Sequence, residues 1–277
     1  IFPVVPDVVC RRIATAGSSG LSFPTAMSGA YRCPSMTLHA DQAPIGPEQL
    51  AVIGSFRRAY SSAEVANPSR ALYYFPIVHS QSDMGSLSAP VRTLILQKLG
   101  ERAWRRKAAI IERFWHDLGR VLDALALPYR QTRIYQDGLP VCERAGDEGR
   151  IVAEAAGLGS ANFQLLVRLQ DQGATIMGTE SAELLVEEYA LTRAVLAAGD
   201  AARSRQIETE QKTARDLLLA KRDGFIAERI DRTLEAGETG VLFLGSLHSL
   251  AGRLPADIQV RFPINRPPGV PSSGGRR

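Results

Sequence analysis

Cysteine is scarce in this 277-residue chain: Cys10, Cys33 and Cys142 are an odd number with no close pair. That excludes a disulfide framework and a cysteine-based zinc site, and makes reduced, cytoplasmic thiols the expectation. Long apolar runs are missing too. The strongest, such as Val241-Leu-Phe-Leu, are strand-sized, whereas a bilayer needs ~18 to 20 residues, so no membrane span is expected. The opening Ile1-Phe-Pro-Val-Val-Pro-Asp has two prolines and no basic residue ahead of it, which makes it a poor secretory signal. It also lacks an initiating methionine, which fits a fragment, a processed product or a true start at Met27 or Met36. The chain has no GxSxG elbow and no GxxxxGK[ST] phosphate loop. Gly157-Leu-Gly-Ser-Ala-Asn162 lacks the third glycine and the preceding strand of a dinucleotide loop.

A basic core is also lacking, although the pI is about 9.1. Residues 1–70 carry six Arg against four acids, and residues 261–277 carry four Arg against none, so the net charge of +4 leaves 71–260 at −2. The positive balance belongs to the ends, and no specific nucleic-acid surface is expected on the core.

What is present is 45% hydrophobic residues, enough for a full-sized core, arranged in alternating patterns. Leu72-Tyr-Tyr-Phe-Pro-Ile-Val suits a strand buried on both faces. Ser88 to Ala126 carries amphipathic helical spacing, with Gly100 placed to break it. Strands are expected again at Thr132 to Tyr135, Ala174 to Met177, Val241 to Gly245 and Ile258 to Phe262. Helices are expected at Ile151 to Ala156, Phe163 to Leu169, Ala182 to Ala198 and Ala202 to Ala236. Trp104 and Trp115 fall on helical pattern and read as packing residues. The alternation predicts an α/β fold, a mainly parallel central sheet covered by helices. It gives one domain over 71–265, an irregular or partly disordered N-terminal arm at 1–70, of which removal of residues 1–60 leaves the core folded, and a disordered tail at 266–277.

In open parallel sheets, ligands bind beyond the carboxyl ends of the strands. That edge receives His79 in Pro76-Ile-Val-His79-Ser-Gln-Ser-Asp83, Glu180 in Gly178-Thr-Glu180, and His248 in Gly245-Ser-Leu-His248. Imidazole serves as metal ligand or as acid and base near neutral pH, but also simply bonds backbone carbonyls at strand ends. Asp223 lies inside an apolar stripe of the last long helix, where a carboxylate needs a partner. Arg222, Arg229 or a loop amide would serve structurally, and a site histidine would serve functionally. Asp137, in Gln136-Asp-Gly-Leu-Pro, is a candidate site residue that reads first as turn chemistry.

These motifs resemble the TraB/ChaN/EreA-like group, whose members end one strand near the start and another near the end in a GxxH-type motif. Gly245-Ser-Leu-His248 matches the second motif, and Pro76 stands where the first would have glycine. Arg222-Asp223-Gly-Phe-Ile-Ala-Glu-Arg229 resembles the group's Asp-containing helix, and Gly178-Thr-Glu180 its central carboxylate segment. The similarity spans residues 72–255. The group is chemically mixed, with proposed metal-dependent proteases, ester hydrolases and haem-binding proteins, so the resemblance leaves the substrate open. Together with the strand-end residues, the expectation is a hydrolase-like α/β enzyme acting on a small-molecule or peptide substrate through His79, His248 and Glu180, with Asp223 and Arg229 in support. Either His79, Glu180 and His248 hold a divalent Zn, Mn or Fe that activates water, or one histidine is the general base and Glu180 orients it. The alternative is a non-catalytic α/β module that binds a small molecule such as haem, or a protein partner.

Overall fold

The computed structural model describes residues 70–250 and 252–264. The expected arm, including its removable first 60 residues, lies outside the described residues except for Arg70, which opens the first strand, and so does the expected tail. Five strands form one sheet in the order β3-β2-β4-β1-β5, with every pair parallel. They are β1 Arg70–Ile77, β2 Thr132–Gln136, β3 Thr175–Met177, β4 Thr239–Gly245 and β5 Ile258–Arg261. The helices are α1 Ser88–Leu125, α2 Asp147–Gly157, α3 Ala161–Asp171, α4 Ala182–Leu196, α5 Ala201–Glu210 and α6 Lys212–Thr233. A 3₁₀ segment, Ser82–Leu87, joins β1 to α1. None of the described helices is long and apolar enough to cross a membrane.

Because side chains alternate along a strand, each middle strand feeds two cores. Phe75 and Ile77 of β1, Ile134 of β2, and Val241 and Phe243 of β4 pack with Trp115, Leu118 and Leu122 of α1, Ile151 of α2, and Phe163 and Leu166 of α3. Leu72, Tyr74, Tyr135, Leu242 and Leu244 face the other way, onto Ile226, Ala227 and Ile230 of α6. The chain is thus a three-layer sandwich, and runs such as Val241-Leu-Phe-Leu are apolar throughout because both faces are covered.

One helix breaks where the sequence expects it and another where it does not. α1 is interrupted at Gly100, whose φ of 75° and ψ of 167° are non-helical, a conformation glycine adopts without a Cβ penalty. The expected helix over 202–236 is two helices, divided at Gln211. Asp200 caps the first by accepting the amides of Ala202 and Arg203 at 2.8 and 2.9 Å.

Beyond the sheet edge the segments after β2 and β3 stay zipped together. Val141 N donates to Glu180 O at 2.8 Å, and Thr179 N to Leu139 O at 2.8 Å. Gly178 sits in this seam so tightly that an added Cβ would lie 2.5 Å from both Pro140 O and Val141 Cα. Gly178→Ala is therefore expected to lower stability by ~1 to 3 kcal/mol through overpacking. Gly224→Ala, inside α6 where the nearest atom would be 3.9 Å away, is expected to raise it by ~0.5 to 1 kcal/mol. Urea melts of both variants check the pair, and shifts of the same sign would contradict the packing described.

Candidate functional site

β1 and β4 are hydrogen-bonded neighbours with Ile77 opposite Gly245, so the chain leaves both at one end of the sheet. His79 follows β1 by two residues and His248 follows β4 by three. Between the two rings stands Asp137, the first residue after β2. Its Oδ2 lies 3.2 Å from His79 Nε2 and its Oδ1 3.6 Å from His248 Nε2. Oδ2 also accepts the amide of Gly245 at 2.8 Å.

A second carboxylate faces the far nitrogen of each ring. Asp223 Oδ1 is 2.7 Å from His248 Nδ1, and Asp83 Oδ2 is 3.9 Å from His79 Nδ1. Both outer carboxylates are anchored. Asp223 Oδ2 accepts Ser249 N at 3.1 Å. Asp83 accepts Ser80 N at 2.6 Å and the hydroxyl of Ser160, which caps α3. The order is carboxylate, imidazole, carboxylate, imidazole, carboxylate, and all five residues are buried.

Arg222, only 1% exposed, reaches this chain from α6. Its Nε and Nη2 take the two oxygens of Glu180, the latter at 2.6 Å, and Nη2 also donates to Asp137 Oδ1 at 3.1 Å. Its Nη1 donates to Glu188 on α4. Glu180 Oε1 accepts Gly138 N as well, at 2.8 Å. One guanidinium fork thus ties the ends of β2 and β3 and the side of α4 to α6.

Electrostatics follow from this crowding. Burial alone would raise the Asp137 pKa, but His248, His79 and Arg222 overcome it and hold the carboxyl well below its usual range. Burial would likewise depress both histidines, but Asp137 wins at each ring, helped by Asp83 at His79 and by Asp223 at His248, and both pKa values are raised. Burial pushes the Tyr74 hydroxyl up, with Asp137 and Asp223 adding to it. That hydroxyl and His248 Nε2 are among the buried polar atoms left without a hydrogen-bond partner.

The structure therefore brings His79, His248, Glu180 and Asp223 into one cluster. Arg229 lies apart from it: its Nε donates to Gly178 O at 3.0 Å, steadying the segment that carries Glu180. Asp223 pairs with His248 rather than with Arg222 or Arg229. Among the described residues, Asp137, Glu180 and His248 have ligand atoms within 4.8 Å of one another, with Asp137 in the place expected for His79. That spacing could hold a metal ion. The donor set fits less well, because both oxygens of Glu180 already accept from Arg222, which a cation would have to displace.

Asp137, Arg222, Asp83 and Glu188 are the cluster members that the sequence reading did not select. The strand-end rule reaches Asp137 once β2 is extended to Gln136. Arg222 lies four residues before Ile226 on the buried stripe, a helical-phase signal. Glu188 gives no comparable sign, and Asp83 only its distance of four residues from His79. No family model, no curated protein and no solved structure matches the chain.

Asp223→Ala is expected to lower stability by ~1 to 3 kcal/mol, because it strands His248 Nδ1 and the Ser249 amide. Arg222→Ala is expected to cost more, ~3 to 5 kcal/mol, because it leaves Glu180 and Asp137 buried beside each other without their shared cation. Denaturant midpoints rank the two, and the reverse order would contradict the role given to the guanidinium.

Proposed function

We propose that the protein is a histidine-dependent hydrolase in which His248 acts as general base on a water that attacks an ester or amide carbonyl. The observation that supports it best is the asymmetry of the His248 ring. Asp223 accepts at Nδ1, which assigns the neutral ring's proton to Nδ1 and its lone pair to Nε2. That Nε2 is buried beside Asp137 and has no hydrogen-bond partner. In the reaction Nε2 takes a proton from water as the water oxygen bonds to the carbonyl carbon. The carbonyl electrons move to its oxygen, and on collapse the leaving group departs with the proton returned by Nε2. Asp223 keeps the ring oriented throughout, and Asp137 stabilises the imidazolium. His79 keeps its Nε2–H on Asp137, and Glu180 holds Arg222 in place. The resemblance to the TraB/ChaN/EreA-like group, which includes proposed ester hydrolases and proteases beside haem-binding proteins, accommodates this reaction class and leaves the substrate open.

A second reading rests on the spacing of Asp137, Glu180 and His248: a divalent metal bound there would act as Lewis acid or lower the pKa of a bound water. Its cost is the displacement of Arg222 from Glu180.

The test is hydrolysis of a panel of small-molecule and peptide esters and amides by purified protein, with metal content measured in parallel. His248→Gln is expected to lower kcat/KM by ~10²- to 10⁴-fold, with activity surviving chelation. Activity that disappears with a stoichiometric metal selects the second reading, and ligand retention without hydrolysis selects a binding module. The pH profile carries its own sign. The base form of His248 is present only above its folded pKa, which lies above the ordinary 6.5, so kcat/KM falls as pH drops through that raised value. Asp137→Asn removes the charge that favours the imidazolium, and the acid limb is expected to move to lower pH. A limb that stays in place in the Asn variant would contradict His248 as the base.

A further inference from the structure

Glu188 is the one carboxylate on Arg222 that the proposed reaction leaves without a task. Three carboxylates, Asp137, Glu180 and Glu188, surround a single guanidinium. Their surroundings differ. Glu180 accepts Arg222 twice and the Gly138 amide, and Asp137 accepts the Gly245 amide and Arg222 while facing both histidines. Glu188 has the single bond from Arg222 Nη1, and its side chain is 14% exposed where the other two are fully buried.

We propose that Glu188 is a positioning residue that holds or yields a proton so as to set how Arg222 divides its charge between Glu180 and Asp137. When Glu188 carries the proton, the guanidinium charge is shared by two carboxylates. When Glu188 is ionised it draws part of that charge toward α4, and Asp137 is left more negative beside His79 and His248. The groups that bear on it are Arg222 and Arg215 of α6, Glu180, Asp137 and His248, and Glu208 of α5 lies near enough to act on Arg215. Burial raises the Glu188 pKa, with Glu180 and Asp137 adding and Arg222 opposing, to about 7. A carboxyl buried with a single donor thus keeps its proton to a higher pH than an ordinary one.

The inference deepens the hydrolase reading, but its test needs no substrate. In protein labelled with ¹³C at glutamate carboxyls, the signal that vanishes in Glu188→Gln identifies Glu188, and it is expected to titrate near pH 7 rather than in the ordinary carboxylate range. Beyond any step it shares with His79, the His248 ring is expected to show a further step at the same pH in the wild type that is lost in Glu188→Gln, which keeps an acceptor for Nη1. A third readout is stability. A raised folded pKa gives stability that is complete below the unfolded value of 4.5 and is lost as pH rises through about 7. The Tm of Glu188→Gln should therefore gain on the wild type between about pH 5 and pH 8. A Glu188 signal that titrates below pH 5, or His248 curves that superimpose in the two proteins, overturns the proposal. Glu188→Ala separates a purely structural role, which would lower its Tm equally at all pH values.

Discussion

Everything at the sheet edge depends on one buried guanidinium. Asp137 and Glu180 lie on neighbouring loops with their carboxylates turned toward each other, and without a cation between them one would have to take a proton or turn away. Arg222 supplies that cation from the opposite layer, which makes α6 part of the site as well as a cover for the sheet. The fork geometry matters as much as the charge: a lysine ammonium offers no pair of parallel donors for Glu180 and no planar third direction toward Glu188.

Around this anchor the two histidines are alike in position and unlike in bonding. Each follows a central strand, each turns Nε2 to one oxygen of Asp137, and each has a carboxylate behind Nδ1. His248 is held from behind at hydrogen-bond distance and faces Asp137 in front beyond that distance, whereas His79 is bonded in front and loosely faced behind. A shared carboxylate with two such partners makes the proton content of the pair a joint property, so the two rings do not titrate independently.

Much of this architecture was legible in the residues. Leu72 to Val78 and Val241 to Leu244 are β-rich and apolar on both faces, as central parallel strands are, and the strand-end rule then selected His79, Glu180 and His248. Gly100 announced its break. The division at Gln211 did not, because no glycine or proline marks it and the apolar period runs across. Asp137 was hidden by its neighbour: Asp-Gly is so common in turns that the turn explained the residue too well. Arg222 was hidden by its type, since a long basic side chain beside an apolar stripe ordinarily reaches for water, and only the carboxylates of distant segments show that this one is retained.

The position of the cluster on the sheet also ranks its parts by how readily they come loose. His79 and His248 hang from β1 and β4, which like β2 have partners on both sides. Glu180 hangs from β3, a three-residue edge strand paired on one side, with Thr175 exposed. Fluctuations that fray this edge reach Glu180 while the histidine pair is still intact. The seam at Gly178 and the grip of Arg222 act against that fraying, so the cluster spends its strongest tethers on its least protected member.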